Sequence, residues 1–166
     1  MSEVHKAHPD KALFFTEISG GRWATNFSDN LMWNLENIFI GTMNNWSESA
    51  LLWNLALDQN DGPTNNGCSN CRGVVTIDTT SGSVTKNEEY YALAHFSKFV
   101  RPGAYRISAQ APEGVQLHHV AFVNPDNTIV WIAANTSNAS VSGTVQQGTN
   151  SFTLNIPAKA VATVVW

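Results

Sequence analysis

The stretch FFTEISGGRW, residues 14–23, ends a short apolar run on a carboxylate, Glu17, just ahead of Gly20-Gly21 and Arg22. In a parallel sheet ligands gather at the carboxyl ends of the strands, and Glu17 falls at such an end, where a catalytic carboxylate can stand. Two plainer roles compete for Glu17: an ion pair with Arg22, or a cap on the following turn. A second strand-end carboxylate, Asp58, closes SALLWNLALD at residues 49–58, and there a turn residue opening the next loop is the better reading. Trp53 lies in that same run. Its ring either fills the core, the default for a buried tryptophan, or faces the mouth of a site beside Glu17, where an aromatic plane can stack on the C–H face of a sugar.

Other chemistry-bearing residues say less. Cys68 and Cys71 in GCSNCRG have the spacing of half a metal site, but no second pair of ligands stands at a matching spacing, which leaves a small loop disulfide or two free thiols. His118 and His119 are adjacent in a strand-like stretch, so they face opposite sides and read as structural. Trp23 and Trp46 are loop aromatics that can equally cover a helix end. Sequons at Asn26, Asn45, Asn135 and Asn138 hint at a secreted protein, whereas the beginning MSEVHKAHPD has no apolar core of a signal peptide.

With 43% hydrophobic residues, six Trp and eight Phe, the 166 residues suffice for one ordinary core or two small ones. A net charge of -4 offers no basic surface to phosphate backbones or anionic lipid, which argues against a nucleic-acid partner. No apolar run approaches the roughly 20 residues that span a bilayer.

The elements that must position Glu17 and Trp53 come in two styles. Up to about residue 100 strands and helices alternate: ALFFTEI reads as a buried strand, and SDNLMWNLENIFIGTMNNW as a helix. Leu31, Leu35, Ile38 and Met43 form its stripe, Ser28 or Asp29 caps it, and Gly41 weakens its last turns. SALLWNLALD, apolar on both faces, reads as a strand of a covered parallel sheet, and a long polar loop, QNDGPTNNGCSNCRG, follows it. VVTID and GSVTK make a hairpin. NEEYYALAHFSKFVRPG is a second helix stopped by Pro102-Gly103. Beyond residue 104 the period changes to two, as in an antiparallel sandwich. Residues 1–102 and 103–166 are therefore expected to form separate domains.

Taken together, LFFTEISGG, LLWNLALDQNDGP, GVVTID and EYYALAHFSKFVRPGAYRI resemble the C-terminal part of glycoside hydrolase family 30, the glucosylceramidase-like group, in order and spacing across residues 5–166. TNNGCSNCRGVVTID looks most like the fungal β-1,6-glucanase branch. The resemblance implies an α/β plus all-β chain: the last two strands and helices of a (β/α)8 barrel, then an antiparallel β-sandwich, itself incomplete. By resemblance residues 12–18 are the seventh barrel strand, 50–57 the eighth and 88–100 the last helix. Glu17 aligns with the nucleophile of a retaining mechanism that uses two glutamates, and Trp53 with an aromatic lining the sugar subsite. No metal or cofactor is implied, the substrate is a β-glucan or a glucosylceramide-like glycolipid, and an extracellular location is expected.

The departure from the family lies in what precedes the seventh strand, where its acid/base, a Glu following an Asn, belongs. The one Asn-Glu pair here, Asn87-Glu88, precedes the second helix, and Thr85 and Glu88 already make sense as a capping box. A barrel takes ~250 residues. The resemblance thus implies a piece carrying the nucleophile without its acid, inactive alone and prone to self-association through open sheet edges. The competing expectation is a non-catalytic module that binds carbohydrate through its sandwich or its exposed tryptophans.

Overall fold

In the computed structural model, which describes residues 1–166, the chain divides at Ala94/His95 into two units. The first begins with a short helix, α1 (Ser2–Ala7), none of whose residues is buried. Strand β1 (Leu13–Phe15) follows, then the two-residue strand β2 (Gly20–Gly21). Asn26 starts the long helix by accepting the Asp29 N–H on its side-chain oxygen at 3.0 Å, so the cap lies ahead of the expected Ser28 or Asp29. The rod runs through α2 (Phe27–Trp33), a π-helical stretch at Asn34–Ile40, and α3 (Gly41–Asn44). Met32, Leu35, Ile38, Phe39 and Ile40 are buried, a wider face than the expected stripe. Gly41 has a steric task rather than a weakening one. A Cβ there would lie 2.5 Å from the Glu36 carbonyl oxygen, which the wide π turn brings against it.

Strand β3 (Ser47–Ala50) pairs parallel with β1, Leu13 opposite Ser47 and Phe15 opposite Ala50, and closes a strand–helix–strand unit. The expected single strand over residues 50–57 is not formed. Leu51 and Trp53 give their N–H groups to the Phe15 and Ile18 carbonyls, at 3.0 and 2.8 Å, after which the chain changes partners. Strand β4 (Ala56–Asp58) belongs to another sheet, where β5 (Cys71–Arg72) is bypassed. There β4 runs parallel to β6 (Val75–Ile77), which forms the expected hairpin with β7 (Val84–Lys86). The run is not covered on both faces either: Leu51 is 51%, Trp53 66% and Leu55 76% exposed.

The second helix, α4 (Glu88–Ser97), stops short of the expected residue 100. The capping box is absent. Thr85 is committed to β7 opposite Thr76, and Glu88 turns to Arg72, with Nη2 at 2.9 Å from Oε2. Asn87 instead ties the helix start to the loop before β6, donating its side-chain amide to the Gly73 carbonyl at 2.8 Å and to Thr76 Oγ1 at 2.9 Å.

The unit division falls inside α4, ahead of residue 102, because the last turns of that helix pack with the strands after it: His95 Nδ1 meets Thr163 Oγ1 at 2.8 Å, and Phe96 packs edge-on to Phe122. In the second unit β8 (Tyr105–Ile107), β9 (His118–Val123), β10 (Ile129–Asn135) and β13 (Ala160–Val165) form an antiparallel sheet in the order β13-β10-β9-β8. The hairpin of β11 (Val141–Gln147) and β12 (Asn150–Ile156) is the second layer. Every residue of central β10 is buried. Ala121, Trp131, Ala133 and Ile156 form the core between the layers, with Ile107, Val145, Leu154 and Trp166 around them. A cavity of about 420 Å³ remains there, against a second layer only two strands wide. Asn135, a sequon residue, is fully buried, its amide donating to the Ala139, Ile156 and Pro157 carbonyls at 2.7, 3.1 and 2.9 Å.

Candidate active site

Glu17 stands two residues beyond the end of β1, and the backbone on both sides of it is fixed. Phe15 donates its N–H to Ser47 Oγ at 3.0 Å and accepts from Leu51, while Ile18 accepts from Trp53. The carboxylate between these anchors is exposed and has no hydrogen bond or ion pair within the chain. The expected alternative, a pair with Arg22, is not made: Arg22 Nε is paired with the buried Asp61, and its Nη2 donates to the Gln59 carbonyl at 2.9 Å. The Asp61 hydrogen bond, then its charge, raises the Arg22 guanidinium above its ordinary range. Trp53 is not a core residue. Its backbone is bonded to the residue after Glu17 and its ring faces solvent.

The long loop is bound to the segment that follows Glu17. Asp58 opens it as expected of a turn residue, accepting the N–H groups of Asn60 and Gly62, both at 2.8 Å, on Oδ1. Farther along, Asn70 accepts the Arg22 N–H at 3.0 Å, and β5 pairs antiparallel with β2, Gly20 opposite Arg72 and Gly21 opposite Cys71. Cys68 and Cys71 form a disulfide, which decides between the disulfide and the free thiols. The Trp23 ring lies against Gly21: a Cβ there would stand 2.0 Å from its nearest atom.

His118 and His119 face opposite sides of β9, and the His119 ring lies beside Trp131 at 6.2 Å between centroids. Burial, and secondarily the charge of His118, holds the His119 pKa below the ordinary histidine range. Nothing in the sequence singles out Arg72 or Asp61. Each is a lone charge in a loop, and the partners sit 17 and 39 residues away. A weak signal exists only for Gly20-Gly21, a pair whose lack of side chains lets other groups lie on the backbone.

Comparison with known proteins agrees with this architecture. Residues 1–100 match the glycosyl hydrolase family 30 TIM-barrel domain and residues 103–164 the glycosyl hydrolase family 30 beta sandwich domain. An endo-1,6-β-D-glucanase of Aspergillus fumigatus is 30% identical over 99% of this chain and 34% of its own length. The lysosomal acid glucosylceramidase of Mus musculus is 27% identical over 100% of this chain and 33% of its own length. Among solved structures, an endo-β1,6-glucanase superposes with a TM-score of 0.93 at 36% identity, over 99% of this chain and 37% of that one. The chain thus spans about a third of the length of these relatives. With a barrel segment over residues 1–100 and a sandwich over residues 103–164, both matched by the family's domains, the chain belongs to glycoside hydrolase family 30.

Proposed function

We propose that the chain supplies the nucleophile side of a retaining glycosidase site acting on β-glucosidic bonds, with Glu17 as the nucleophile and Trp53 as a sugar platform. The observation that carries this reading is the Glu17 carboxylate: exposed, without a partner, and held at the end of β1 with Trp53 bonded to the next residue. Ionised Glu17 attacks the anomeric carbon. The bond to the departing oxygen breaks as a second carboxylic acid, ~5 Å away in retaining enzymes, gives that oxygen its proton. The same group then takes a proton from the water that cleaves the glycosyl ester and frees Glu17. Glu88 is unsuited to that second role, since it is buried against Arg72. We assign the acid/base to barrel segments that this chain does not contain. Of the two substrate classes, β-1,6-glucan is favoured over glucosylceramide-like lipids by the identity to the two endo-1,6-β-glucanases.

The test is a chimera in which residues 1–166 replace the matching part of the Aspergillus fumigatus relative. With Glu17→Ala it should lose hydrolysis of an aryl β-glucoside, and added azide should restore turnover as α-glucosyl azide, because a small anion in place of the carboxylate attacks from the same face. Full hydrolysis by Glu17→Ala would remove Glu17 from the role. A second reading, carbohydrate binding without turnover by the chain alone, is favoured by the solvent-facing Trp53. Titration of the 166-residue chain with a β-1,6-linked oligosaccharide, followed by Trp fluorescence, tests it.

A further inference from the structure

The first turn of α4 buries two adjacent carboxylates, Glu88 at 4% exposure and Glu89 at 1%. One guanidinium nitrogen serves both. Arg72 Nη2 lies 2.9 Å from Glu88 Oε2, 3.0 Å from Glu89 Oε1 and 3.2 Å from Glu89 Oε2. Buried Asn30 of α2 donates its Nδ2 to Glu89 Oε1 at 3.1 Å, and is itself held by Asn34 Nδ2, which donates to the Asn30 carbonyl at 2.9 Å and to its Oδ1 at 3.2 Å. Two buried carboxyl groups thus share one guanidinium, with the N-terminal end of α4 adding only a partial positive charge. Such a cluster is a poor device for stability, since apolar residues of equal volume commonly do as well or better. Its best-attested use is to fix a geometry.

The geometry it fixes is that of the Glu17 segment. The Glu89 carboxylate lies directly on Gly20: a Cβ built there would stand 1.9 Å from Oε1 and 2.4 Å from the carboxyl carbon. Gly20 is also the strand partner of Arg72. The residue that holds Glu89 by its side chain therefore holds Gly20 by its backbone. Only Ile18 and Ser19 separate Gly20 from Glu17, and the Ile18 carbonyl is already bonded to Trp53 at 2.8 Å.

We propose that Glu89, braced by Arg72 and Asn30, is a positioning residue for Glu17: a buried charged stop on which Gly20 seats, so that the Glu17 carboxylate points in one direction. This rests on the reading of Glu17 as nucleophile. Glu89 touches no substrate and acts only through the backbone of residues 17–20. The effect sought is large enough to measure, because misplacing a catalytic group by ~1 Å can cost ~100-fold in rate.

In the chimera, Glu89→Gln keeps the side-chain volume and removes one of the two carboxylates that hold Arg72, the one seated on Gly20. The expected result is a kcat for aryl β-glucoside lowered about 10- to 100-fold with KM nearly unchanged. A purely structural Glu89 would lower Tm and leave kcat of the folded enzyme untouched, which would overturn the proposal. A second variant, Arg72→Met/Glu88→Leu/Glu89→Met, replaces the whole cluster by apolar side chains. It should recover Tm but not kcat, and recovery of both would also overturn the proposal. Glu17→Ala with azide separates the two layers: wild-type hydrolysis in that variant defeats the nucleophile reading, whereas azide rescue alongside an unimpaired Glu89→Gln defeats the positioning role alone. In the 166-residue chain, amide exchange at residues 18–22 should quicken by about tenfold or more in Glu89→Gln. Unchanged exchange there counts against the proposal even if no chimera folds.

Discussion

At Glu17 and Trp53 the local backbone, rather than the side chains' own contacts, fixes each residue in place. Glu17 makes no bond to the chain, yet Phe15 and Ile18 on either side of it are fixed to Ser47, Leu51 and Trp53. A carboxylate so placed keeps its lone pairs for a ligand. Trp53 shares this logic, with its main chain engaged and its ring free, so truncation leaves no internal cavity. Trp53→Ala in the chimera should leave Tm unchanged while raising KM for a β-1,6-linked oligosaccharide about fivefold, the equivalent of ~1 kcal/mol of aromatic contact. An unchanged KM would place the sugar elsewhere. Glu17→Gln, which keeps the shape, should cost about 1000-fold or more in kcat with Tm within a degree or two. Glu17 was legible in the sequence as the carboxylate that closes an apolar run, and β1 stops two residues before it. The side on which Trp53 lies was not, because an unbroken apolar run carries no period from which to read a face.

Among the elements, those with a strong local signal are found where the sequence predicts them: the long helix, the hairpin of β6 and β7, α4, and the period-two strands of the second unit. What escapes is decided by partners distant in sequence. The SALLWNLALD run changes neighbours halfway, from β1 to β6, and no property of the run itself announces two partners. Glu88 and Glu89 have the look of a solvated first turn favoured by the helix dipole, and it is Arg72 of remote β5, with Asn30 of α2, that meets them where they are buried. The π stretch is hidden too, although Gly41 is its trace. Gly41→Ala would press a methyl group onto the Glu36 carbonyl and should cost about 1–3 kcal/mol in chemical denaturation, where the same change in a plain α-helix would stabilise. In the second unit Asn135→Ala would take the amide from the carbonyl of buried Ile156 and from those of Ala139 and Pro157, which are exposed, at a cost of about 1–2 kcal/mol by the same measurement. A neutral result at either site would mean that the local packing is not as described.

For the whole molecule, two properties follow from what is buried and what is left open. In the second unit burial lowers the pKa of both His95 and His119 below the ordinary 6.5. Unfolded histidines then bind protons that the folded ones refuse, so stability holds above pH 6.5 and falls as pH drops below it, until the folded groups also protonate. A thermal-melting series from pH 7.5 to 5 should show that decline, lessened in His95→Gln; a flat profile would contradict the burial. The open side of the chain lies in the first unit. The sheet of β1 and β3 has only two strands, no further strand pairs with either outer edge, and Phe14, Leu51 and Leu55 are exposed on it or just beyond it. A two-stranded sheet with bare apolar residues is marginal in water and offers both a template and a greasy surface to another copy. Relatives three times as long have chain available to cover it. The 166-residue chain should therefore self-associate, with a sedimentation coefficient that rises with concentration across the micromolar range. Lysine at both Leu51 and Leu55 should shift it toward monomer while leaving far-UV circular dichroism intact. A chain that stays monomeric at high concentration would show that these edges are closed by contacts other than a partner's.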